Sequence, residues 1–208
     1  MFHTWFFKQF KSARNILNLP NCLTILRIAL IPSMGFFLAI EGAPPPFELD
    51  GMFRYSPGKV ATVILFIAGM TDLLDGWLAR KWQIESLLGK FLDPVADKLV
   101  LLVGLVMLLK LGRVSEWLVI LLLSREFLIT GLRSVAIGEG LVIAAGSSGK
   151  LKQVFQLLGI GCLMWYGTFL TVPSGFIGTW ILYAALGISL FSGFRYLQDF
   201  FTALRGRG

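Results

Sequence analysis

Apolar residues run through this chain in long stretches, and polar residues gather mostly between them. Runs near the length that crosses a bilayer, about 20 residues, cover Leu23 to Ile40, Lys59 to Leu78, Asp93 to Leu111, Trp117 to Ala136, Leu151 to Leu170 and Phe176 to Tyr196. This pattern predicts an all-α fold, a six-transmembrane-helix membrane protein with both termini on one side. Ahead of the first run, MFHTWFFKQFKSARNIL mixes Trp5, Phe6, Phe7 and Phe10 with Lys8, Lys11 and Arg14, which predicts an N-terminal amphipathic helix lying in the headgroup layer. It lacks the short apolar core followed by small residues that marks a cleavable signal. Residues 1–18 are therefore assigned to this interfacial helix and 19–208 to a single six-helix membrane domain. The stretch from Glu41 to Gly58, with Pro44-Pro45-Pro46, reads as an irregular outer loop.

Composition sharpens this picture. Apolar residues make up 56% of the 208 and charged residues 15%, with a mean hydropathy of +0.75, outside the range of soluble globular chains. The net charge of +7 could suit a nucleic acid, but its distribution points to a membrane instead. Threaded through six spans, one side carries Lys8, Lys11, Arg14, Arg80, Lys81, Lys90, Arg133, Lys150, Lys152, Arg195, Arg205 and Arg207. The other carries Arg54, Lys59, Lys110 and Arg113. The positive-inside rule places the first group and both termini in the cytoplasm. Cys22 and Cys162 lie in or beside apolar runs and read as small hydrophobes, not a disulfide. His3 is the one histidine, so a Ser/His/Asp triad or a histidine-based zinc site lacks its parts.

The chemistry concentrates where the second and third runs meet. TDLLDGWLAR carries Asp72, Asp75, Gly76, Ala79 and Arg80, and GKFLDPVADK carries Asp93 and Asp97. Carboxylates at the end of an apolar run are costly unless paired or bound to a cation, so four of them imply a divalent metal site. At about 100° per residue, Asp72, Asp75, Gly76, Ala79 and Arg80 share a helix face, and Asp93 and Asp97 lie one turn apart. Two carboxylate pairs can thus face each other across a helix–loop–helix turn. Gly76 and Ala79 leave room for a ligand, and Arg80 offers a planar donor fork suited to phosphate oxygens. Taken singly, each has a plainer role: Asp93 before Pro94 as a helix cap, Gly76 in helix packing, Arg80-Lys81 as an interfacial anchor.

Two further segments add polar residues on the cytoplasmic side. In LPNCLTILR, Asn21, Thr24 and Arg27 recur at helical spacing, with Asn21 also suited to a helix start and Arg27 to snorkelling. SREFLITGLR supplies Arg125, Glu126 and Arg133, and SSGKLKQVFQ supplies Lys150 and Lys152. Such cations suit an acceptor that itself carries a phosphate, although Lys150 and Lys152 would equally anchor a helix.

The region 72–97 fits D-x2-D-G-x2-A-R-x8-G-x3-D-x3-D at every fixed position, including Gly89. At ordinary residue frequencies such a match arises by chance on the order of once in 10^10 starting points. The pattern resembles the signature of the CDP-alcohol phosphotransferase family of integral membrane enzymes, whose six-helix layout would account for nearly the whole chain. The resemblance implies that Asp72, Asp75, Asp93 and Asp97 hold divalent cations, Mg2+ or Mn2+, with two ions bound. It implies Asp97 as the general base, with Asp93 beside it in the catalytic pair, and Asn21, Asp72, Gly76, Ala79 and Arg80 as the site for the CDP part of a CDP-diacylglycerol donor. LPN-x-LT-x2-R, REF-x-ITGLR and GK-x-K-x3-Q further resemble the bacterial branch whose acceptor is sn-glycerol 3-phosphate. That assigns Arg125, Arg133, Lys150 and Lys152 to the acceptor phosphate, the site to the bacterial cytoplasmic membrane and its lipids, and the assembly to a homodimer. One departure stands: Gln153 occupies a position where that branch commonly has Thr. Inositol phosphate or serine as acceptor, and an ion or proton transporter lined by carboxylates, are the competing readings.

Overall fold

A computed structural model describes residues 19–41, 57–82, 87–139, 148–169 and 171–205, with side chains outside 19–21, 73, 75–91, 93, 148–150 and 169. The interfacial helix expected over 1–18 and most of the Pro-rich loop lie outside the described residues. Among those described, the chain is mostly helical: α1 (Leu19–Glu41), α2 (Pro57–Trp82), α3 (Leu87–Lys110), α4 (Glu116–Gly138), α5 (Ser148–Trp165) and α6 (Ser174–Arg205). Two very short strands, β1 (Thr168–Phe169) and β2 (Val172–Pro173), lie between α5 and α6 and pair antiparallel. Two of the helical segments, Cys22–Glu41 and Ser174–Arg205, are long and apolar enough to cross a bilayer, and Leu151–Trp165 is a shorter apolar helix. The chain divides into two units, Met1–Gly104 and Leu105–Gly208.

In the first unit each helix buries one stripe. On α1 it runs through Thr24, Arg27, Ile31, Met34 and Leu38, in steps of three and four. On α2 it runs through Ala61, Leu65, Ala68 and Thr71, and on α3 through Ala96, Val100 and Leu101. α1 and α2 pack along one another. Gly35 brings α1 close to α3, where an added Cβ would lie 3.1 Å from Val103 Cγ1. The Glu41 carboxylate accepts a bond from the Gly58 N–H, meeting one of the donors that a helix start leaves open. Ile25, Leu26 and Phe36 of α1 and Val63, Phe66, Ile67 and Met70 of α2 are exposed. A helix that is apolar on its outward face as well as its buried one suits surrounding hydrocarbon.

α3 begins six residues earlier than its apolar run predicts, so Asp93 is a residue of the helix body and not its cap. Leu87, Leu88, Phe91 and Leu92 supply an extra apolar turn, and Pro94 is tolerated inside although it cannot donate to the carbonyl four residues back. Asn21 likewise falls within the first turn of α1, after Pro20, and does not precede the helix.

In the second unit α3 ends in a Schellman turn. Gly112 adopts φ 67°, its N–H bonds to the Leu109 carbonyl at 2.9 Å, and the Arg113 N–H bonds to that of Leu108 at 3.0 Å. The left-handed conformation suits glycine. α5 stops at Trp165, five residues before its apolar run ends. Tyr166 turns into the left-handed region at φ 42°, with the Arg113 guanidinium 3.9 Å from its ring centre, and the hairpin follows. Arg113 also donates to the carbonyls of Leu163 and Met164 at the end of α5, at 3.4 and 3.3 Å. Ser174 closes the hairpin, bonding Gly167 through both backbone and side chain at 2.8 Å.

α5 and α6 meet through glycines. A Cβ on Gly178 would come within 2.8 Å of both the Gly159 carbonyl oxygen and Leu163 Cγ. Such close approach of small residues is the usual route to helix association where hydrocarbon surrounds both partners. α6 buries Gly178, Leu182, Ala185, Leu186, Ser189, Gly193, Tyr196 and Phe200 along one stripe. Its opposite face shows Phe176, Trp180, Leu190, Phe191 and Phe194. Cys22 is exposed and Cys162 half-buried, and both are free thiols.

Candidate active site

The buried stripes of the first unit are apolar toward one end and charged toward the other. Stepping along α1 from Leu38 through Met34 and Ile31 leads to Arg27, and along α2 from Leu65 and Ala68 to Asp72. Arg27 is 1% exposed, so it is a core residue and not a snorkelling one. One of its terminal nitrogens, Nη1, lies 2.7 Å from Asp72 Oδ1 on α2 and 3.4 Å from Asp97 Oδ1 on α3. Three helices are thereby tied at a single guanidinium.

Physical chemistry explains why a cation belongs there. Because Nη1 is 2.7 Å from one carboxylate oxygen and 3.4 Å from the other, the two oxygens lie within about 6 Å of each other. At an effective dielectric near 20, unit negative charges at about 6 Å repel by about 3 kcal/mol. A guanidinium between them reverses that sign, and its own burial is tolerated because it is paired.

The two carboxylates are about one third exposed, 31% and 36%, so they stay open to a ligand arriving from outside. Two carboxylates converging on one point are the oxygen donors that a hard divalent cation takes. Asp75 follows Asp72 by about one turn of α2, and Asp93 precedes Asp97 by one turn of α3. The side chains of Asp75 and Asp93 lie outside the described residues, as do those of Asn21, Gly76, Ala79, Arg80 and Lys150. Among the described residues no group of three or more His, Cys, Asp or Glu gathers.

A second polar cluster forms within the other unit. Glu126 Oε2 on α4 accepts from Lys152 Nζ on α5 and from Arg125 Nη1 at 3.4 Å. Arg125 Nη2 donates to Ser192 Oγ on α6 at 3.2 Å. Arg133, two turns further along α4, lies over the Tyr196 ring at 5.8 Å and close enough to Arg125 and Lys152 for their charges to interact. Three cations and one carboxylate leave this cluster with two positive charges in excess, the right balance for a phosphate dianion. Space matters as well as charge. A Cβ on Gly193 would meet Arg125 Nε at 3.2 Å, so the glycine leaves room for the guanidinium.

These two arrangements join residues that the linear pattern keeps far apart. The eight-position motif lies within a stretch that a family model of the CDP-alcohol phosphatidyltransferases matches over residues 17–191. The chain belongs to that family. Among family members, it is 38% identical over 191 residues to the CDP-diacylglycerol–glycerol-3-phosphate 3-phosphatidyltransferase of Bacillus subtilis strain 168, covering 90% of this chain and 97% of that protein. It is 36% identical over 189 residues to the protein of the same name from Haemophilus influenzae, covering 87% of this chain and 92% of that one. The relative from Wigglesworthia glossinidia brevipalpis, again of that name, is 32% identical over 171 residues.

Three residues gain roles that sequence spacing alone does not assign. Arg27 shares its face with Asn21 and Thr24, but nothing in LPNCLTILR says that it reaches two aspartates 45 and 70 positions away. Glu126 reads as one charge among several until Lys152 and Arg125 converge on it. Gly193 carries no sequence signal at all. The groove lined by Gly112, Arg113, Glu116 and Thr179 contains none of the residues assigned to the chemistry.

Proposed function

We propose that this family member transfers the phosphatidyl group of CDP-diacylglycerol to sn-glycerol 3-phosphate, giving phosphatidylglycerophosphate and CMP. The observation that carries the reading is the meeting of Asp72 and Asp97 at one point, in a chain matched over most of its length to relatives named for this reaction. Asp72, Asp75, Asp93 and Asp97 would hold two divalent cations, Mg2+ or Mn2+. When bound, such ions neutralise the diphosphate and stabilise charge on the departing CMP. Asn21, Gly76, Ala79 and Arg80 receive the nucleotide. Asp97 takes the proton from the acceptor's primary hydroxyl as its oxygen attacks the phosphorus attached to diacylglycerol, and the bond from that phosphorus to the CMP oxygen breaks. Arg125, Arg133, Lys150 and Lys152 hold the acceptor's own phosphate, with Glu126 keeping Arg125 and Lys152 in place.

The chain acts as an integral membrane protein of six spans, with both termini and the carboxylates on the cytoplasmic side of a bacterial inner membrane. Outward-facing apolar side chains and the one-sided spread of Lys and Arg support this reading. A homodimer is the assembly that the family resemblance implies. The test is a product assay on purified protein with radiolabelled CDP-diacylglycerol, offering glycerol 3-phosphate, inositol phosphate or serine. Phosphatidylglycerophosphate and CMP should form with the first acceptor. Product from either of the others in its place refutes the acceptor assignment, and failure to release CMP with any acceptor refutes the transferase reading in favour of a transporter.

A further inference from the structure

Arg27 deserves a role of its own because its geometry is unlike that of an anchoring or substrate-binding arginine. It stands on the apolar stripe of α1, one turn from Ile31, and is 1% exposed. Its Nη1 lies 2.7 Å from Asp72 Oδ1 and 3.4 Å from Asp97 Oδ1, whereas those two carboxylates keep about a third of their surface open. The buried cation thus touches the metal-binding residues from the protein side, and their exposed parts are left for whatever arrives. We propose that Arg27 is a built-in counter-cation: it holds Asp72 and Asp97 together before divalent ions load, and it weakens the grip of the loaded site so that ions exchange.

This inference rests on the metal reading above, and it assigns Arg27 as a positioning residue acting through the carboxylates. Two consequences follow from charge alone. Without Arg27 the metal-free protein carries close carboxylates with one fewer positive charge between them, so it loses stability that a divalent ion can restore. The loaded site, in contrast, loses a repelling neighbour. For a divalent ion about 6 Å from a unit charge, even water's dielectric makes this repulsion worth about tenfold in affinity.

The experiment uses the full chain in detergent or nanodiscs, stripped of metal, with Mn2+ as the probe. Mn2+ affinity is read by electron paramagnetic resonance, and the unfolding midpoint is measured with and without the ion, for wild type, Arg27→Gln and Arg27→Lys. Arg27→Gln should bind Mn2+ about tenfold more tightly, and its midpoint should fall more in the metal-free state than in the Mn2+-saturated state. Arg27→Lys keeps the charge and should bind within about threefold of wild type. A glutamine variant that folds only with Mn2+ present also supports the proposal. Wild-type binding with unchanged or weaker affinity in Arg27→Gln, or equal destabilisation with and without Mn2+, overturns it while leaving the metal reading intact. So does a lysine variant that behaves like the glutamine one, or a glutamine variant that fails to fold in either condition. A wild-type protein that binds no Mn2+ overturns both.

Discussion

Replacing Gly193 by alanine should raise the apparent KM for the phosphorylated acceptor about fivefold while leaving kcat within about twofold of wild type. The new methyl group would start 3.2 Å from Arg125 Nε and 3.5 Å from Ile129 Cγ1 and Cδ1, so the guanidinium has to retreat by a few tenths of an ångström. Arg125 has little slack to absorb this. Its bond to Ser192 Oγ is already 3.2 Å and its contact with Glu126 Oε2 is 3.4 Å, near the upper end of useful hydrogen-bond lengths. A hydrogen bond to a charged group contributes about 1.5–3 kcal/mol, so weakening one by half costs roughly 1 kcal/mol, or about fivefold. Initial rates of CMP release over a range of glycerol 3-phosphate concentrations, at saturating CDP-diacylglycerol, give the two constants separately. Gly187→Ala is the control, because a Cβ there meets nothing within 4 Å in the same helix. An unchanged KM in Gly193→Ala, or an equal rise in Gly187→Ala, would show that Arg125 does not hold the acceptor.

Asp97→Asn should lower turnover by at least about a hundredfold with the fold retained, since the amide cannot accept the acceptor's proton. Near wild-type CMP release from the purified variant would defeat that assignment. Arg133→Ala and Lys150→Ala should each raise the acceptor KM several-fold, and an unchanged KM in both would refute the phosphate pocket. Gly178→Ala should destabilise the protein by up to about 2 kcal/mol, the overpacking cost of about 1–3 kcal/mol less an alanine helix preference of about 1 kcal/mol. Thermal unfolding beside Gly187→Ala checks this, and equal midpoints for the two variants would contradict the close α5–α6 contact.

The parts of the fold that the sequence shows most clearly are those where a single helix decides the matter. Apolar runs of near-spanning length coincide with the bodies of the six described helices, because a long uninterrupted apolar stretch is a local property of the sequence. Ends are less legible. The run from Leu151 to Leu170 stays apolar past Trp165, and only the backbone turn at Tyr166 and the Gly167–Ser174 bonds reveal that a hairpin takes over. Asp93-Pro94 has the chemistry of a helix start, yet the apolar turn ahead of it extends the helix to Leu87. At the site, the motif marks Asp72 and Asp97 because its spacing is local, whereas Arg27 and the Glu126–Lys152 pair depend on contacts between helices that no spacing within one segment encodes.

Anomalous diffraction from crystals soaked in Mn2+ tests most directly whether this chain gathers its carboxylates around divalent ions. Manganese peaks should appear among Asp72, Asp75, Asp93 and Asp97, with carboxylate oxygens as the protein ligands. Ordered density showing those four side chains well separated, with no manganese among them, would contradict it.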